Sequence, residues 1–247
     1  MRTLPALALI LLPLAGCTQT VREPTLDDVI AKHVAARGGA AAIEAVRVYE
    51  GDIEIVEPSF TVDGLYVATR DGDMRVDISA GGERVFTEAL DRGRSWSWSP
   101  SDGVTEGTAQ GAAALRHGID LPIKLFGLHE MASRGHRLEL QGRETIDGTH
   151  YHVLRLTLAD GFETLYFLHP ESGLVEWDRQ RRALHVDVDP EPVWIETRYE
   201  DYRPVAGVLF AHRQVERELD SGKLLSTVTL REIRINPSLA ADRFAPP

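Results

Sequence analysis

The chain has 247 residues, of which 43% are hydrophobic and 26% charged, so it is a folded protein of one large domain or two small ones, not a disordered one. It is long enough to bury roughly 70–75% of its unfolded surface without a covalent or metal staple, and its one cysteine, Cys17, excludes an intrachain disulfide. The formal net charge of −11 argues against nucleic acid as a partner, because phosphate binding needs a basic surface.

Residues 1–16 have the layout of a secretory signal. Arg2 supplies the positive start, residues 4–14 are almost continuously apolar, and Ala15 and Gly16 are small. The apolar run is too short to span a bilayer, which takes about 20 residues, and Pro5 and Pro13 weaken it as a helix. The sequence Leu14-Ala15-Gly16-Cys17 resembles the lipobox of bacterial lipoproteins. That resemblance implies cleavage before Cys17 and acyl chains carried by that cysteine, which would anchor the protein to a membrane. Thr18 follows the cysteine where an Asp would favour inner-membrane retention, so the resemblance leans toward the outer membrane. Residues 17–25 read as an acylated tether and residues 26–247 as a single domain.

The first element predicted beyond the tether is a helix over residues 26–46. Thr25 can cap it, Asp27 and Asp28 lie in the first turn, and Leu26, Val29, Ile30 and Val34 make one apolar face. Gly38-Gly39 predicts a break, with a short second helix over 40–46. Period-two patterns follow around Val48–Ile55, Val62–Val67, Met74–Ile78, Val85-Phe86 and Ser95–Trp98, separated by Asp-Gly and Gly-Gly turns. Residues 99–111 read as a polar, Gly-rich connection. Residues 112–131 read as mostly helical, with a break near 118–122. From Leu138 the chain returns to strands, with turns at Asp147-Gly148, Asp160-Gly161, 170–173, 190–192, Ala206-Gly207 and Ser221-Gly222. Regular spacing and short turns predict one antiparallel meander.

Several stretches together resemble the LolA/LolB-like family of outer-membrane lipoprotein-sorting proteins. They are Ile30-Ala31-Lys32-His33-Val34-Ala35-Ala36-Arg37-Gly38-Gly39; Glu163-Thr164-Leu165-Tyr166-Phe167-Leu168-His169-Pro170-Glu171-Ser172-Gly173-Leu174; the hairpin from Tyr199 to His212; and the end from Ile235 to Pro247. His169, Ser172 and Ala211 depart from the family's usual Asp, Thr and Pro. The resemblance implies an α+β fold, a curved and incompletely closed antiparallel β-barrel with helices packed on its concave side. It also implies a lipid, lipoprotein acyl chain or other apolar ligand as partner, at the bacterial envelope facing the periplasm. The alternative is a non-catalytic sensor or scaffold that binds a membrane-protein partner.

Such a barrel takes its ligand on a concave apolar face, so the large apolar residues Tyr66, Trp96, Trp98, Leu125 and Phe126 are the expected ligand-binding set. Trp96 and Trp98, two apart, share one face of a strand. The same residues would serve as plain core packing. The loop Glu57-Pro58-Ser59-Phe60 is a weak candidate for a projecting apolar loop. His150 with His152, and His185 with Asp187 and Asp189, have ligand chemistry on one strand face. A polar outward face looks the same, and no metal or cofactor is expected. Arg179, Arg181 and Arg182 read as the charged side of an edge strand, the alternative being a basic cluster that meets a lipid headgroup. The sequence contains no Gly-x-Ser-x-Gly, His-Glu-x-x-His or phosphate-loop motif, so no enzyme activity is expected.

Overall fold

The computed structural model describes residues 22–184, 186 and 190–247. The leader, Cys17 and the His185, Asp187 and Asp189 side chains lie outside the described residues. Two helices open the chain, α1 (Leu26–Ala36) and α2 (Ala40–Glu44). Thr25 caps α1 as its sequence predicts. Its Oγ1 accepts from the Asp28 amide at 3.2 Å, and Asp28 Oδ2 accepts from the Thr25 amide at 2.8 Å. This reciprocal cap stabilises a helix by about 1 kcal/mol. The break at Gly38 has two causes. Its φ is +117°, and a Cβ there would stand 2.0 Å from the carbonyl oxygen of Gly207. Only glycine lets this corner touch the strand turn beneath it.

Thirteen strands follow. The first meander holds β1 (Val48–Glu57), β2 (Phe60–Thr69), β3 (Met74–Ala80), β4 (Glu83–Asp91), β5 (Arg94–Ser99) and β6 (Gly103–Glu106). The second holds β7 (Arg137–Ile146), β8 (Thr149–Thr157), β9 (Glu163–Leu168), β10 (Val175–Arg182), β11 (Val193–Val205), β12 (Val208–Glu218) and β13 (Leu224–Ile235). Every pairing is antiparallel and joins chain neighbours except one, β1 with β13, which fuses the two meanders at the centre of a single sheet. The outer strands β6 and β7 are not paired with each other, so the curved sheet is an incomplete barrel. Two turns show how local sequence sets register: Asp147-Gly148 and Ala206-Gly207 both have positive φ at both positions, the geometry of the tightest hairpins.

Because β6 and β7 are opposite edges, the chain between them must cross the sheet. Residues 107–136 do so on the concave side, carrying α3 (Ala109–Asp120) and a 3-10 turn (Leu128–Glu130). Ile119, Leu121, Leu125, Phe126, Leu128 and Met131 from this crossing share one core with Val29, Val34 and Ile43 of the first helices and with the inner faces of both meanders. The fold is therefore α+β, with helices filling the concavity of an open antiparallel barrel.

Three local expectations are corrected. The connection expected at 99–111 contains the short edge strand β6. The helix expected over 112–131 starts at Ala109 and ends at Asp120, and only the 3-10 turn follows. The Arg179–Arg182 run is not at an edge, because β10 lies between β9 and β11. Two of its charges are paired with carboxylates instead: Arg179 with Glu144 and Glu196, Arg182 with Glu216; Arg181 is exposed. The Glu57–Phe60 loop is a tight two-residue hairpin with Phe60 exposed at its tip. No helix among the described residues is long and apolar enough to cross a membrane.

Candidate functional site

The site is built by two surfaces that face each other across the concavity. One is the crossing segment. Thr108 caps α3 by accepting from the Gly111 amide. At the far end His117 stacks on Phe162 with ring centroids 4.2 Å apart and pairs with Asp160 at 2.6 Å. These contacts fix α3 to the β8–β9 connection. After Asp120 the chain is held by Arg37. Its guanidinium donates to the carbonyls of Pro122 (3.0 Å), Ile123 (3.0 Å) and Phe126 (3.2 Å). The residue is 2% exposed, and burial pulls its pKa down to about 10. Those carbonyls have a side-chain partner, so this stretch needs no helix to satisfy them.

The other surface is the inner face of β10, β11 and β12. Register places Asp178 opposite Thr197 and Tyr166, and Thr197 opposite Glu216. Tyr166 belongs to the core, so this row points inward. Asp178, Gln180 and Arg182 alternate along β10, with Thr197 and Tyr199 beside them on β11 and Gln214 and Glu216 on β12. Arg182 meets Glu216 at 2.9 Å. Asp178 is fully buried; Tyr199 donates to its Oδ2 at 2.6 Å and Gln180 at 3.2 Å. Its Oδ1 has no hydrogen-bond partner. Burial is the main cause that pushes its pKa up to about 6, against the opposing bonds from Tyr199 and Gln180.

Between the two surfaces lies a cavity of about 430 Å³, within the roughly 300–1,000 Å³ range of small-molecule sites. Ala114, Leu115, Leu121 and Ile123 give it an apolar wall, which Phe86, Phe162, Leu184 and Val186 extend. Gln180, Arg182, Thr197, Tyr199, Gln214 and Glu216 give it a polar wall. Lys124 also lines it, its Nζ 5.3 Å from the centre of the Tyr66 ring. Burial pulls the Lys124 pKa down, and the charges of Glu216 and Asp178 work against that.

The five apolar residues singled out in the sequence are not brought together here. Leu125 and Phe126 are buried within the core of the crossing segment, Phe126 between the guanidinium groups of Arg70 and Arg134. Tyr66 is on the inner face, beneath Lys124 and edge-on to Tyr49. Trp96 and Trp98 do share a face, but it is the outer one. Trp96 stands across from Ala89 and Arg75, and Trp98 across from Thr87, whereas Ser95 pairs with the core residue Leu90. Alternation therefore turns Ser95 and Ser97 toward the cavity, and Trp96 contributes to its wall only from the strand. The Trp96 indole donates to the Phe244 carbonyl at 2.9 Å, under the C-terminal tail. On β8, His150 bonds with Thr145 at 2.7 Å. Among the described residues no group of three or more His, Cys, Asp or Glu is placed to hold a metal ion.

The polar wall was missed in the sequence. Its only signal was the alternation of polar side chains at Asp178, Gln180 and Arg182, two apart; the sheet order that turns them inward is not written there.

No family model matches this chain, and no curated protein matches it. Solved structures do. A LolA superfamily protein from Nitrosomonas europaea aligns at TM-score 0.55 and 15% identity, over 90% of this chain and 98% of that one. An outer membrane lipoprotein-sorting protein domain from Vibrio parahaemolyticus aligns at 0.58 and 11%, over 88% and 94%. A DUF1329 family protein from Desulfovibrio piger aligns at 0.56 and 12%, over 87% and 95%. At these identities the likeness is one of fold: the chain has a LolA-like fold.

Proposed function

We propose that this protein is a non-catalytic, lipid-anchored envelope protein whose half-barrel holds a lipid, acyl chain or other ligand with an apolar part. The observation that carries the reading is the cavity between α3 and the β10–β12 face, which opens inside a fold shared with lipoprotein-sorting proteins. Apolar area removed from water there contributes about 25 cal/mol per Å² to binding. Tyr66, Leu125 and Phe126 join the lining when the 121–131 stretch moves aside; the indoles of Trp96 and Trp98 stay outside. Acylated Cys17 is the proposed anchor, in the outer membrane facing the periplasm, and delivery of lipid or lipoprotein is the process served. The test is native mass spectrometry of the chain purified from its own host's membranes, beside a Cys17→Ser form. A co-purifying lipid in both supports the reading. An empty cavity that takes up no offered lipid overturns it.

A second reading, a sensor or scaffold with a protein partner, is favoured by one observation. Phe60, Leu184 and Trp194 are each at least 40% exposed and lie at hairpins on the end of the sheet away from α1. Crosslinking in intact envelopes that captures a partner with no lipid dependence would favour it.

A further inference from the structure

The carrier reading leaves the chemistry of the ligand's polar end open, and the charges around the cavity bear on it. Besides the Tyr199 phenol, which is bonded to Asp178, five ionisable side chains line it: Glu88, His117, Lys124, Arg182 and Glu216. Arg182 and Glu216 are paired with each other, and Ser226 also donates to Glu216. His117 is held by Asp160. Glu88 is engaged as well. Lys124 differs from the rest. Among the described residues its ammonium makes no hydrogen bond and no ion pair; it lies over the face of Tyr66. The carboxylate beneath the polar wall, Asp178, is closed off by Tyr199 and Gln180. The cavity thus presents one positive charge without an ion pair among the described residues, and the Gln214 side chain, which lines the same cavity, makes no hydrogen bond among them. A ligand oxyanion would give this ammonium the ion pair it lacks among the described residues, a charge-assisted contact stronger than a neutral hydrogen bond.

Resting on the carrier reading, we infer that the cavity takes a single-chain amphiphile with an anionic head, a carboxylate or a phosphate, which pairs with Lys124 and accepts from the Gln214 amide. The chain then lies against Ala114, Leu115, Leu121 and Ile123. Neutral acyl esters would occupy the same wall without using the ammonium.

The experiment compares palmitate, hexadecyl phosphate and methyl palmitate as ligands of the purified, delipidated full chain, with dissociation constants from native mass spectrometry. At least one anionic probe is expected to bind about tenfold more tightly than the ester, the equivalent of one charge-assisted hydrogen bond. Lys124→Met should abolish the preference for that probe over the ester, both compared in the same variant, and Lys124→Arg should keep it. The better of the two anions identifies the head as carboxylate or phosphate. Equal binding of all three probes, or a preference that survives in Lys124→Met, overturns the anionic head and leaves the carrier reading standing. Binding of none of them overturns both.

Discussion

Two carboxylates on opposite faces of the sheet teach how the fold separates structure from site. Asp77, on the outer face of β3, is ringed by donors: Arg75 at 2.9 Å, Thr87 at 2.8 Å and Arg243 at 3.0 Å. Burial pushes its pKa up, but the bonds from Arg75, Thr87 and Arg243 outweigh that and hold it below the usual carboxylate range. Asp178, on the inner face of β10, has neutral donors only, and one of its oxygens has none. Burial there wins, and its pKa rises to about 6. The first carboxylate is a clamp that binds the C-terminal tail to the sheet. The second is destabilising when ionised, and it lies under the polar wall of the cavity.

The comparison is broken most directly by two isosteric substitutions with opposite effects. Asp77→Asn leaves Arg75 and Arg243 without their shared anion, and it should destabilise the fold by about 3 kcal/mol in urea unfolding at neutral pH. Asp178→Asn removes an ionised group from a buried site. It should stabilise the fold by about 2 kcal/mol at pH 7.5. Loss of stability in Asp178→Asn would mean that the carboxylate is better satisfied than its geometry indicates.

The pH dependence follows with the same opposition. Asp178 has a folded pKa above its unfolded value, so stability falls as pH rises from about 4 to about 6 and levels off beyond. The Asn variant should lose that slope. Asp77 has a folded pKa below its unfolded value, so its contribution is present above the ordinary carboxylate range and is lost as pH falls through the folded value. Smaller changes sharpen the picture of the clamp. Arg243→Met should cost about 1.5 kcal/mol, with a change in indole fluorescence as the cover over Trp96 loosens. Thr87→Val removes one donor of three and should cost about 1 kcal/mol by the same denaturation measurement.

What could be read in the sequence was local. The Thr25 cap, the Gly38-Gly39 corner and the Asp147-Gly148 and Ala206-Gly207 turns each depend on residues a few positions apart, and all are where the sequence places them. The side of the sheet that each residue faces is not local. Trp96 and Trp98 look like inward aromatics until the tail, almost 150 positions later in the chain, covers the outer face. Arg179, Arg181 and Arg182 look like a charged edge until the sheet order sets β10 between β9 and β11, and register with Tyr166 and Thr197 turns Asp178 and its alternates Gln180 and Arg182 inward. Alternation was legible for both strands; its phase was not. Lys124 was hidden differently, in a stretch whose apolar neighbours suggested a helix that Arg37 replaces.

The pairing of β1 with β13 has a consequence in time. Each meander consists of neighbour pairings and can form as its own residues become available, but the central ladder joins Tyr49 to Ile235. Closing it carries the loop entropy of nearly the whole domain, the kind of contact that slows folding. A chain that becomes available N-terminus first therefore shows an unpaired β1 edge until its last strand arrives. In that interval, the β1 edge as well as β6 is open to pairing with another chain.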